Sequence, residues 1–260
     1  MSVKFAARTD PGAVRTNNED SFSVDNELGL YMVADGMGGH AAGEVAAAIA
    51  INQTHSYIAA GVPLADAIAR THKDIVAASN QHSSGMGSTA VALLDKGDNY
   101  EVNWVGDSRA YVYSYGSGQH RLERISHDHS FVQTLVDKGS ISEQEARNHP
   151  QRNIITQCLG NKLQAEVSVG VTKGSWRANQ WLLLCSDGLT GEMEDRSILQ
   201  ILSSCTNSTE AVNRLIDQAI QFGGADNITV VIVESPKHLN YGQALIQKIK
   251  AALFPASRYS

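Results

Sequence analysis

An α+β fold with mainly antiparallel β-sheets and helices layered on them is what the sequence predicts, and three observations carry that expectation. The apolar runs are short and rich in β-branched or aromatic residues. Many are joined by brief connections of Gly, Asn, Asp and Ser, which favours antiparallel pairing. The two longest helical stretches come as a consecutive pair instead of alternating with strands.

In chain order, strands are expected at 3–8, 21–24, 29–34, 88–94, 100–105, 110–115, 166–171, 181–185 and 227–234. Residues 41–59 and 63–80 are alanine-rich, with apolar positions recurring at three- and four-residue intervals, so both are expected to be helices. Shorter helices are expected at 130–138, 195–203 and 208–222. The chain of 260 residues is 42% hydrophobic, enough to bury a sizeable core in one domain, read here as 1–235. Residues 236–260 read as a basic amphipathic tail. Leu245, Ile249 and Leu253 share a helical face beside Lys237, Lys248, Lys250 and Arg258, which suits either a helix docked on the domain or one that meets a membrane surface or partner.

Lys and Arg total 21 against 27 Asp and Glu, a formal charge of -6, so nucleic acid is not an expected partner. A protein of this balance that handles phosphate must recruit cations or local arginines. Cys158, Cys185 and Cys205 form no CxxC pair, and a reducing, cytoplasmic setting is expected. There is no basic start followed by an apolar run and no window of about 20 apolar residues, so neither export nor integral membrane association is expected.

Chemistry is signalled by where the acidic residues fall. Hydrophobic runs end in aspartate at 30–35 (LYMVAD), 102–107 (VNWVGD) and 182–187 (LLLCSD), and a carboxylate on the rim of a rigid sheet suits a metal ligand that needs accurate placement. Each Asp-Gly pair alone is explained by a turn. The stretch 35–40 (DGMGGH) is more pointed, because its glycines let main-chain carbonyls approach an ion. Glu19-Asp20 and Asp226 complete an oxygen-only set that favours Mg2+ or Mn2+ over zinc.

The segments 15–20 (RTNNED), 33–40 (VADGMGGH), 87–90 (GSTA), 105–111 (VGDSRAY), 126–130 (SHDHS), 184–190 (LCSDGLT) and 224–230 (GADNITV) together resemble the PPM, or PP2C-type, metal-dependent protein phosphatases of bacteria. The resemblance implies a four-layer αββα sandwich with a catalytic domain over 1–235. It implies that Asp35 bridges two Mn2+ or Mg2+ ions, with the Gly36 carbonyl on one and Asp187 and Asp226 on the other. Asp20 would hold metal waters, Arg15 would grip the substrate phosphate, and Asp128 with Asp187 would bind a weaker third ion. Glu19 matches a position at which relatives vary.

The implied reaction is hydrolysis of phosphoserine or phosphothreonine by a hydroxide bridging the two ions, with no phosphoenzyme intermediate. That agrees with the lack of a GxSxG elbow or a Cys-x5-Arg loop in the chain. The expected partners are phosphorylated proteins and an opposing Ser/Thr kinase. Met37 stands where eukaryotic relatives have histidine, which leaves the general acid open; His40 reads rather as a structural bond at the glycine turn. Residues 139–160 match the family's flap, where His149 and Arg152 are expected to shape peptide choice.

Structural readings stand beside the functional ones. Asp107 is read mainly as core support and Cys185 as a buried thiol, and His127 and His129 lack a zinc pattern. A two-metal phosphodiesterase and a pseudophosphatase that binds phosphopeptides remain the alternatives, the first weakened by the missing basic stripe and the second by retention of Asp35, Asp187 and Asp226.

Overall fold

The structure, a computed structural model, describes residues 3–38, 42–80, 85–116 and 118–237. In chain order the elements are β1 (Phe5–Asp10), β2 (Asp20–Asp25), β3 (Leu30–Gly38), α1 (Ala42–Ala59), α2 (Leu64–Ser79), β4 (Met86–Ser88), β5 (Ala90–Lys96) and β6 (Asn99–Val105). They continue as β7 (Arg109–Gly116), β8 (Gln119–Arg124), α3 (Phe131–Asp137), α4 (Glu143–Arg147), β9 (Gly170–Ser175), β10 (Gln180–Cys185), α5 (Asp187–Glu192), α6 (Asp195–Ser204), α7 (Ser208–Phe222) and β11 (Ile228–Glu234).

The strands form two sheets, one ordered β1-β11-β10-β7-β8 and the other β2-β3-β5-β6-β9, with β4 paired to β3. Each pairing is antiparallel. Side-chain alternation explains the layering. In β10, Trp181, Leu183 and Cys185 face a core shared with α5, α6 and α7, whereas Leu182 and Leu184 face the other sheet. In β3, Leu30, Met32 and Ala34 face α1 and α2, whereas Tyr31 and Val33 face inward. Central strands are therefore apolar on both faces, and period two is hidden in near-continuous hydrophobic runs. The result is helix, sheet, sheet, helix, as the resemblance implied.

Some boundaries moved. The expected strand at 166–171 lies at Gly170–Ser175, where it pairs with β6. The expected strand at 88–94 is two, β4 and β5, interrupted at Thr89. There the Asp35 N–H donates to the Thr89 side-chain oxygen at 3.0 Å, while the Thr89 N–H donates to the Asp35 carbonyl at 2.8 Å. Strand β8 (QHRLER) carries too little apolar content to be picked out, and α4 and α5 are only five and six residues long. Asn207 caps α7 by accepting from the Glu210 N–H at 2.9 Å. Gly39, His40 and nearly all of the expected tail lie outside the described residues. Among the described residues, no helix is long and apolar enough to cross a membrane.

Candidate metal centre

The expected aspartates come from one end of both sheets. Asp20 opens β2 and lies directly across from Asp35 of β3, so the Asp-Gly pair belongs to the strand instead of following it. Gly36 continues the ladder opposite Ser88, and its N–H donates to the Glu19 carbonyl at 3.1 Å. A Cβ at Gly36 would overlap the Gly43 carbonyl, so only glycine lets α1 start against this strand. From the other sheet, Asp187 is the first residue of α5 after β10, and Asp226 immediately precedes Asn227 and β11.

Side-chain contacts stitch the two groups together. The Asp20 Oδ2 atom accepts from the Ser186 and Thr229 hydroxyls, each at 2.7 Å, so a carboxylate of one sheet is gripped by hydroxyls of the other. Asn227 is a hub. Its Oδ1 accepts from the Glu19 N–H at 2.8 Å, and its Nδ2 donates to the Pro11 and Asn17 carbonyls at 3.0 and 2.8 Å. Asp226 is turned outward: Oδ2 accepts from Arg15 at 2.8 Å and Oδ1 from the Asn227 N–H at 2.9 Å.

The carboxyls of Asp20, Asp35, Asp107 and Asp187, crowded at this end of the sheets, are all shifted upward. Burial pushes the Asp20 carboxyl up to about 7, its hydroxyl donors opposing and Asp187 and Asp226 adding to the rise. Burial first, then the charges of Asp20, Asp187 and Asp107, holds Asp35 well above the ordinary carboxylate range. Asp187 is raised by burial and by Asp226, against the lowering pull of Asp35's hydrogen bond and of Arg109 and Arg15. Asp107 is raised by burial and then by Asp187 and Asp128, so a residue read as core support joins the same acidic cluster. Two oxygens, Asp20 Oδ1 and Asp187 Oδ1, are buried without a hydrogen-bond partner. Crowded carboxylates with orphaned oxygens fit hard divalent ions. Among the described residues no three His, Cys, Asp or Glu side chains stand as a ready-made cage, and Asp226 is paired with Arg15.

Asp128 is held by an arginine. Its oxygens take a forked set of bonds from Arg109, Nε at 3.0 and 2.9 Å and Nη2 at 2.6 Å, and its side chain is only 6% exposed. Asp128, Arg109, Asp107 and Asp187 line one cavity of about 760 Å³, together with flap residues including Arg147 and Arg152. Arg147 of α4 donates to the Thr190 carbonyl of α5 at 3.2 Å, tying flap to site. His149 packs against Phe131 at 6.0 Å between ring centroids instead of lining that cavity.

Sequence reasoning named the acids and passed over their supports: Ser186, Thr229, Asn227 and Arg109. One signal was available. Thr229 sits on the inward-facing parity of β11 with Val231 and Val233, a polar residue in an otherwise apolar face.

A family profile described as Protein phosphatase 2C matches residues 13–221. The chain is 38% identical over 252 residues to the serine/threonine protein phosphatase PstP of Mycobacterium tuberculosis, covering 94% of this chain and 47% of that protein. It thus spans about half the length of these mycobacterial relatives. It is 37% identical over 250 residues to the serine/threonine phosphatase stp of Listeria monocytogenes, covering 90% of this chain and 96% of that one. A crystal structure of the PstP catalytic domain in complex with two manganese ions superposes with a TM-score of 0.78 at 37% identity, covering 89% of this chain and 97% of that one. With seven motifs in order, antiparallel sheets flanked by helices and relatives of this coverage, the chain belongs to the protein phosphatase 2C family.

Proposed function

We propose that this chain is a metal-dependent phosphatase that hydrolyses phosphoserine and phosphothreonine in proteins, with two Mn2+ or Mg2+ ions seated where the sheets meet. The observation that supports the reading is the meeting of Asp20 and Asp35 with Asp187, two of them with a buried, unpartnered oxygen. Asp35 would bridge the ions, with the Gly36 carbonyl on one, Asp187 and Asp226 on the other, and Asp20 acting through water. Bound there, two such ions lower the pKa of a water and offset charge on phosphoryl oxygens.

The chain's own residues arrange the rest. Ser186 and Thr229 fix the rotamer of Asp20, and Asn227 joins the segment carrying Arg15 to the loop carrying Asp226. Arg15, half exposed and paired with Asp226, would exchange that carboxylate for the substrate phosphate, releasing Asp226 toward the ions. Since water is the nucleophile, no side chain need carry a phosphoryl group. Asp128 is already committed to Arg109, so a third ion at Asp128 and Asp187 would have to compete with that pair, and the reading does without it. A Ser/Thr kinase would supply the substrates.

The flap belongs to the same reading: with Arg152 on the cavity wall, it would select among phosphopeptides. Shortening it should alter peptide preference while leaving hydrolysis of a small aryl phosphate nearly intact. The primary test is phosphate release from a phosphothreonine peptide and from a dinucleotide, with manganese, magnesium or chelator. Peptide turnover that requires the metal is expected; turnover that persists in chelator overturns the proposal, and hydrolysis of the dinucleotide alone favours a phosphodiesterase.

A further inference from the structure

Helix α5 is one and a half turns long and carries an acidic residue at each end, Asp187 at its start and Glu192 at its finish. The first belongs to the metal centre. The second has had no role so far. Its Oε1 accepts from the Ala225 N–H at 3.0 Å, and Ala225 is the residue directly before Asp226. The same short helix therefore holds one carboxylate of the site covalently and reaches the other through a single side chain.

The geometry around the helix makes it a rigid spacer. Leu189 is fully buried and Met193, just past the helix, is 1% exposed, both in the core under β10 and β11. Gly188 lies so close to the Asn227 carbonyl that a Cβ there would overlap it, which pins the front of α5 to the end of the Asp226 loop. Ser186 does not cap the helix with its side chain; its hydroxyl goes to Asp20. The start of α5 is thus fixed by the acidic cluster and the fold, and the helix extends about 1.5 Å per residue from there.

The loop that presents Asp226 is restrained unevenly. Gly223 and Gly224 close the end of α7 by donating to the Ile220 and Ala219 carbonyls, and the Gly224 carbonyl accepts from the Ala13 N–H at 2.8 Å. Beyond Asp226, Asn227 is held by Pro11, Asn17 and Glu19. Between these anchors stands Ala225, whose N–H goes to Glu192. That bond joins α5 to the residue preceding Asp226.

We propose that Glu192 is a positioning residue that sets the separation of Asp187 and Asp226, with α5 as the spacer. The inference rests on the metal-site reading above and adds a residue to it. A carboxylate oxygen is a strong acceptor for a backbone N–H, and outer partners of this kind commonly change metal affinity about 10-fold to 100-fold when removed. Glutamine retains an oxygen at the same reach; alanine does not.

The test compares the full chain with Glu192→Ala and Glu192→Gln. Manganese binding is measured by titration calorimetry, and exchange of the Ala225 amide is followed by NMR in chelated protein. Expected is manganese binding about 10-fold weaker in Glu192→Ala, faster exchange at Ala225 before any metal is added, and binding within about twofold of the parent in Glu192→Gln. Should Glu192→Ala fail to fold, Glu192→Gln decides alone: tight binding with a protected Ala225 amide supports the spacer, and a loss of binding overturns it. A lowered melting temperature in Glu192→Ala with unchanged manganese binding also overturns it, since Glu192 would then be structural only. A parent protein that binds no manganese sinks the metal-site reading, and this inference with it.

Discussion

In the sheet that carries β2 and β3, Asp20 and Asp35 are residues of the ladder itself, opposed across two strands. In the sheet that carries β10 and β11, Asp187 opens a helix and Asp226 stands in a loop, turned toward Arg15. A ladder residue inherits its position from the backbone hydrogen bonds of its strand pair. A loop residue depends on whichever side chains hold it. The first pair is therefore expected to supply fixed geometry, and the second the adjustment that lets ions and substrate enter.

Substitutions can break or sharpen that contrast. Asp35→Asn removes the carboxylate between the two groups, and peptide turnover in manganese should fall roughly a thousandfold, read as kcat at saturating metal. The same measurement on Asp226→Asn should show a smaller loss, roughly a hundredfold, with part of it recovered at high manganese because a loop can readjust. Equal, unrecoverable losses would erase the distinction between ladder and loop.

Thr229→Val tests the hydroxyl that reaches across the sheets. Valine keeps the shape but removes a bond to a buried carboxylate, so manganese should bind about 10-fold more weakly and stability should fall by about 1–3 kcal/mol, read by calorimetry and by denaturant unfolding. The smallest effect concerns pH in chelated protein. Burial raises the folded Asp20 carboxyl to about 7, above the 3.8 expected of it in an unfolded chain. The stability it contributes is complete below that lower value and is lost as pH rises through about 7. Melting in chelator should accordingly drop by several degrees between pH 5 and pH 8, and Asp20→Asn should lessen the drop without removing it, because burial raises Asp35, Asp107 and Asp187 too.

How much of this could be read beforehand follows from what each feature depends on. The strands at the centre of the sheets were legible as short apolar runs rich in β-branched or aromatic residues, and helices α1 and α2 as alanine-rich stretches with apolar residues recurring every three or four positions. Strand β8 was not, since it lies at a sheet edge with one neighbour and largely exposed side chains, and the chain there reads as polar loop. Asp35, Asp187 and Asp226 were legible because each follows an apolar run or sits near glycines, whereas Asp20 and Asp128 were legible only through the motifs that resemble the family. Their supports were not: whether Ser186 caps a helix or holds Asp20 depends on where β2 lies, and that is fixed only by the tertiary fold. Arg109 likewise reads as one more charged residue until the turn after β8 brings Asp128 against it.

The outermost strands of the two sheets are β1 and β8 in one, β2 and β9 in the other. Each has ionic groups along it: Arg8 and Asp10, Arg121 and Glu123, Asp25, and Lys173. A second copy of the protein approaching any of these margins to extend a sheet would have to strip water from charge before gaining backbone bonds. The architecture that gathers so much apolar strand into its middle is thereby expected to stay dispersed at the concentrations its own assays require.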